Sequence, residues 1–176
     1  CVACSELWRK IVNRFYLLAI AATASAAANI PAQAQDLPSA KSFPLVLANE
    51  LALKAIEKCI ADGFRVSVVV ADRNGTPIVM LRGDGTGPHT MDSASRKAYT
   101  AASMRTTTQE LGERLAANPG AAALATLPNI ITLGGGIPVK AGDEVIGGAG
   151  AGGAPGGDKD AACVQAGIDA VSDRLK

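Results

Sequence analysis

Glu144–Asp160 reads EVIGGAGAGGAPGGDKD, and the rest of the chain is arranged around it. The stretch opens as a short apolar strand over Glu144–Ile146. It then passes through Gly147, Gly148, Gly150, Gly152, Gly153, Gly156 and Gly157 into a last helix from about Asp158. Glycine costs backbone entropy in regular structure, so such density is expected where φ > 0 is needed or where something approaches the backbone closely. Asp158 stands where a helix N-cap belongs. A strand, a glycine loop and a helix N-terminus together suit the floor of a ligand, an anionic one above all, with Gly148, Gly150 and Gly152 as candidate contacts. The same features also suit a tight connection packed on another backbone, such as that of a neighbouring subunit.

Gly148-x-Gly150-x-x-Gly153 has the spacing of the dinucleotide fingerprint. That fingerprint needs a further strand after the helix and an acidic residue about 20 positions on. The residues to Lys176 leave no room for that strand. Gly157-Asp158-Lys159-Asp160 also lacks the Gly-Lys-Ser/Thr ending of a phosphate-binding loop. A nucleotide is therefore not expected there.

Upstream of this stretch, Ile130–Leu133 and Ile137–Val139 read as two more short strands, linked through Gly134-Gly135-Gly136 and followed by Ala141-Gly142-Asp143. Before them, Thr107 and Glu110 form a capping box for a helix that stops at Asn118-Pro119. Met91–Met104 is predicted to be a helix capped by Thr90, with Ala94, Ala98, Ala101 and Ala102 on a small-residue face. Val66–Ala71 is a continuous apolar run of the kind covered on both faces of a sheet. The turn Asp72-Arg73-Asn74-Gly75 returns it to a partner strand at Ile78–Leu81, with Pro77 at its start. Pro44–Asp62 reads as the first helix. Gly63 sits past its end, and Ala48, Leu51, Ala52, Ala55, Ile56, Cys59 and Ile60 form its apolar face. Hairpin links dominate, so the fold class expected is α+β: a five-stranded antiparallel sheet flanked by helices.

The first residues read differently. Arg9, Lys10 and Arg14 precede the apolar segment Phe15–Ala28, and Ala32-Gln33-Ala34 has the form of a cleavage site. Residues 1–34 are therefore expected to be a secretory signal peptide, with the mature chain beginning at Gln35, although the sequence opens on Cys1 and the true start stays open. Residues 35–176 then form a single domain of roughly 140 residues, enough for a core. A periplasmic or secreted location follows, with no membrane span in the mature chain. In such an oxidising compartment Cys59 and Cys163 either bridge or stay buried and unpaired. Cys1 and Cys4 precede the signal and lack the His of a c-type haem attachment site. The net charge of +1 and the 3% aromatic content argue against nucleic acid as a partner.

Several motifs in order carry a resemblance. Val-Val-Val-Ala-Asp-Arg-Asn-Gly with its partner strand, Arg-Lys-Ala-Tyr-Thr-Ala at 96–101, and the closing Gly-Gly-Ala-Gly-Ala-Gly-Gly with Asp-Lys-Asp resemble the GlcG/HbpS-like family of haem-binding or haem-degrading domains. The similarity runs from about Leu45 to Leu175. It implies a five-stranded sheet in profilin-like α/β/α layering, a homo-oligomer and, in some secreted members, a haem cofactor. Members often carry Gln-Asp before the last helix, where this chain has Asp158-Lys159-Asp160.

The residues that can carry chemistry are few. His89, the single histidine, stands after a glycine-rich loop. It reads either as a ligand to haem iron or another metal, or as a surface histidine. Lys97, Tyr99 and Thr100 lie in the family-like stretch. A cation there can meet haem propionates or a small acid, and Tyr99 can ligate iron as a phenolate; an ordinary helix face is the other reading. Met80, Met91 and Met104 read as packing residues. The function expected is a secreted or periplasmic haem (tetrapyrrole)-binding protein. The alternatives are an enzyme acting on a hydroxy acid, a peroxide or haem, and an assembly protein without a ligand.

Overall fold

The computed structural model describes residues 39–176, so the expected signal segment lies outside the described residues. Four helices and four strands follow in order. They are α1 (Leu45–Ala61), β1 (Ser67–Asp72), β2 (Pro77–Arg82), α2 (His89–Met104), α3 (Thr108–Ala117), β3 (Gly136–Ala141), β4 (Glu144–Gly152) and α4 (Gly157–Asp169). A 3-10 segment, Pro119–Thr126, follows α3. The sheet is antiparallel throughout, in the order β2-β1-β4-β3.

The sheet has four strands, not five. Ile130–Leu133 is apolar enough for a strand, but its backbone groups are taken by side chains of α2. Arg96 donates to the Ile130 carbonyl (3.0 Å), and Thr100 Oγ1 accepts from Ile131 N (3.0 Å) while donating to the Asn129 carbonyl (3.2 Å). A segment whose polar groups are satisfied this way has no need of a ladder.

β1 is central and alternates between two cores. Val68 and Val70 face α1 and α4, together with Leu51, Ala55, Val139, Ala149, Ala151 and Val164. Val69 and Ala71 face α2 through Ala94 and Ala98. The result is three layers, with α1 and α4 on one side of the sheet and α2 on the other. A disulfide joins Cys59 of α1 to Cys163 of α4.

The glycine run is strand in its first part: β4 continues to Gly152, and Gly153–Gly156 form the link to α4. Ala149 and Ala151 point to the α1 side, while the glycines between them lie under α2. A Cβ on Gly150 would sit 2.6 Å from Ala98 N and 2.8 Å from Lys97 Cβ; one on Gly148 would sit 2.7 Å from Ala102 N. The absent side chains let α2 rest on the β4 backbone.

Helix ends follow their sequence signals in part. The Thr107/Glu110 capping box is formed, and Gly63 takes φ +83 after α1. Asp158 is not an N-cap: Gly156 holds that position with no side-chain bond, and Asp158 lies in the first turn. Thr90 is likewise inside α2, whose N-cap is Pro88. Its hydroxyl donates to the Gly87 carbonyl (2.7 Å) and meets Ser67 Oγ at 2.8 Å. Among the described residues, no helix is long and apolar enough to cross a membrane.

Candidate functional site

A groove of about 650 Å³ lies between α1 and β2, inside the usual range for cofactor sites. Its α1 wall comes from Leu53, Ile56 and Ile60, spaced so that they form a second apolar stripe beside the buried one. Met80 and Leu81 of β2 form the opposite wall, and Phe64 lies in the link from α1 to β1. β2 is an edge strand, so this side of it has no neighbour in the sheet. Leu53 is 46% exposed, Ile60 62% and Met80 48%. Ile60 thus belongs to the groove and not to the buried face, and Met80 is not a core packing residue. Contiguous apolar exposure of this kind marks a binding surface.

Two cations stand among these apolar walls. Arg82 is oriented by Thr86, donating from Nε to Oγ1 (3.3 Å) and from Nη2 to the carbonyl (2.9 Å). Arg65 is exposed, and its guanidinium lies over Gly85, where a Cβ would come within 2.7 Å of Nη1. Asp84 is the one acid in the lining. The groove therefore suits a flat, apolar group carrying anionic substituents.

The residues singled out in the sequence do not gather around one cavity. Lys97 is buried beneath α2. Its ammonium donates to Asp160 Oδ2 of α4 (2.7 Å) and to the Ala151 carbonyl of β4 (2.9 Å), with both side chains 4% exposed. Asp160 also accepts from Ala154 N through Oδ1 (3.0 Å). Burial pushes the Asp160 carboxyl up, and the Lys97 ammonium opposes that push without cancelling it. Thr100 is buried and bound to the 129–131 backbone, as described above. Gly148, Gly150 and Gly152 are covered by α2. Lys97, Thr100 and these glycines are thus engaged inside the fold. His89 is exposed in the first turn of α2, its ring beside Gly87, and it does not line the groove. Tyr99 packs on Gly75 and lines a separate cleft with Arg96. Among the described residues, no three His, Cys, Asp or Glu side chains gather as a metal site.

Sequence reasoning missed Leu53, Arg65 and Arg82. The available signal was on α1, whose apolar positions are too many for one buried stripe.

The comparisons with known proteins agree with this fold. A family model described as haem degrading protein HbpS-like matches residues 43–169. A double mutant of HbpS from Streptomyces reticuli is 42% identical, with TM-score 0.74, over 83% of this chain and 98% of that one. The Klebsiella pneumoniae protein ORFY is 26% identical, with TM-score 0.71, over 78% and 95%. A PduOC:heme complex is 26% identical, with TM-score 0.67, over 74% and 95%. Among curated proteins, none matches the chain.

Proposed function

The chain belongs to the HbpS-like family of haem degrading proteins, and on that premise we propose that it binds haem in the groove between α1 and β2. The observation that carries the reading is the groove itself: exposed Leu53 and Ile60 beside Arg65 and Arg82. Haem, when bound, supplies a redox-active iron in an apolar macrocycle with two propionates. Leu53, Ile56 and Ile60 take water off the macrocycle face. Arg82, already oriented by Thr86, and Arg65 pair with the propionates. The haem complex of a relative at 26% identity supports the choice of ligand.

The location proposed is an oxidising compartment, periplasmic or extracellular. The Cys59–Cys163 disulfide supports it, as does the signal-like segment before Gln35. A homo-oligomer is also proposed. Its support is the apolar segment that holds Leu127 and Leu133, both exposed.

Haemin titrated into the protein tests the site. A saturable Soret shift is expected, with the ligand-sensitive part of the spectrum unchanged in His89→Ala. A spectrum altered in His89→Ala would move ligation to the imidazole. The absence of any saturable shift would remove haem from the account.

A further inference from the structure

A second cleft lies on the α2 side of the sheet, beside the turn between β1 and β2. It measures about 310 Å³ and is lined by Asn74, Thr76, Ser95, Arg96, Tyr99 and Asn129, with Gly75 and Pro77 completing the wall. We propose that this cleft binds a small carboxylate bearing a neighbouring hydroxyl group. The proposal does not rest on the haem reading.

Charge selects the carboxylate. Arg96 is the one charged residue in the lining, and no acid is among the others, so the cleft favours an anion. Arg96 is also held in place: its Nη2 donates to the Ile130 carbonyl at 3.0 Å. Nε and Nη1 take no part in that bond, and a guanidinium fixed in this way loses little further freedom on binding. The remaining polar residues are uncharged hydroxyls and amides, the groups that recognise a hydroxyl.

The walls are rigid for a surface cleft. Tyr99 packs on Gly75, so closely that any Cβ there would overlap its ring, and Gly75 also holds φ +81. Asn129 also lines the cleft, at φ +65, a left-handed conformation that Asn adopts more readily than most residues. It is pinned by Thr100, buried in α2, which donates to its carbonyl. Thr100 is thereby a positioning residue for this cleft.

Calorimetric titration with sodium lactate tests the proposal, with sodium propionate as the analogue lacking the hydroxyl and sodium chloride as the ionic control. Lactate is expected to give saturable heat, propionate to bind about 5-fold more weakly, and chloride to give none, since one neutral hydrogen bond is worth about 1 kcal/mol. Arg96→Gln should weaken lactate about 10- to 100-fold, the range for a charged hydrogen bond. Because that change also disturbs the bond to Ile130, Tyr99→Phe is the second variant. It keeps the ring on Gly75 and should narrow the difference between lactate and propionate with an unchanged melting temperature. No saturable heat with lactate, equal affinity for lactate and propionate, or unaltered affinity in both variants would overturn the assignment.

Discussion

Replacing Lys97 by Met removes an ammonium and leaves most of its stem, so the effect isolates one buried charge. Asp160 Oδ2 then loses its donor at 2.7 Å, while Oδ1 keeps Ala154 N. Breaking a buried ion pair from one side typically costs 3–5 kcal/mol, about the worth of an uncompensated charge. The carboxyl has an escape, however: it can take a proton. From its ordinary pKa of 3.8, protonation at pH 7 costs about 4 kcal/mol, and at pH 5 only about 1.6 kcal/mol. Those figures cap the charge penalty. Lys97→Met should therefore destabilise by about 3–4 kcal/mol at pH 7 and by less than about 2 kcal/mol at pH 5. Lys97→Met with Asp160→Asn should recover much of the loss, because neither partner is then charged. Urea unfolding at fixed protein concentration, with the disulfide intact, measures all three proteins. A loss below about 1 kcal/mol at pH 7, an equal loss at both pH values, or a double variant no better than the sum of the singles would refute the reasoning.

Asp160 gives a second pH test in the otherwise unchanged protein. Its pKa is raised in the fold, chiefly by burial, so the folded state binds the proton more readily than the unfolded one. The contribution is full below the ordinary value and falls as pH rises through the folded value. The stability gap between wild type and Asp160→Asn should widen as pH falls from 7 towards 4; a constant gap contradicts it. The Cys59–Cys163 bridge spans a separation of 104 residues, and a loop of that size is worth about 4.7 kcal/mol in the chain-entropy model. Denaturation with and without reductant should differ by about 3–5 kcal/mol, and equal stability would contradict the bridge's role. Gly150→Ala should cost about 3 kcal/mol or more, because the new Cβ meets the α2 backbone. Gly142→Ala, at φ +63 in open space, should cost only about 1–2 kcal/mol. Similar losses at the two sites would show that α2 can lift from β4.

Much of the fold was readable because its signals are local. The Thr107/Glu110 box, the Pro44 and Gly63 limits of α1, and the hydrophobic run of β1 each depend on neighbours a few residues apart. The last strand was misread because its glycines are poor strand formers. Yet Gly-Ala-Gly-Ala-Gly alternates with the period of a strand, and the period was the better guide than propensity. Ile130–Leu133 failed in the opposite direction. Its composition suits a strand, and only side chains some 30 residues away in sequence, Arg96 and Thr100, decide otherwise.

The site was less readable than the fold for the same reason. Lys97 looks like a free cation until α4 brings Asp160 against it across 63 residues. The groove needs α1 and β2 side by side before Leu53 and Leu81 have anything in common. The one early hint, an apolar surplus on α1, becomes informative once the buried stripe is known.

The central claim is that haem sits between α1 and β2, and blocking that groove tests it most directly. Leu53→Glu changes an exposed side chain, which normally leaves stability within about 0.5 kcal/mol, while putting a carboxylate where the macrocycle would lie. Haemin titrations of wild type and Leu53→Glu, followed at the Soret band, give the answer. The account predicts saturable binding in the wild type and at least about tenfold weaker binding in the folded variant, the effect of about 1.4 kcal/mol. Unchanged haemin affinity in Leu53→Glu would contradict it.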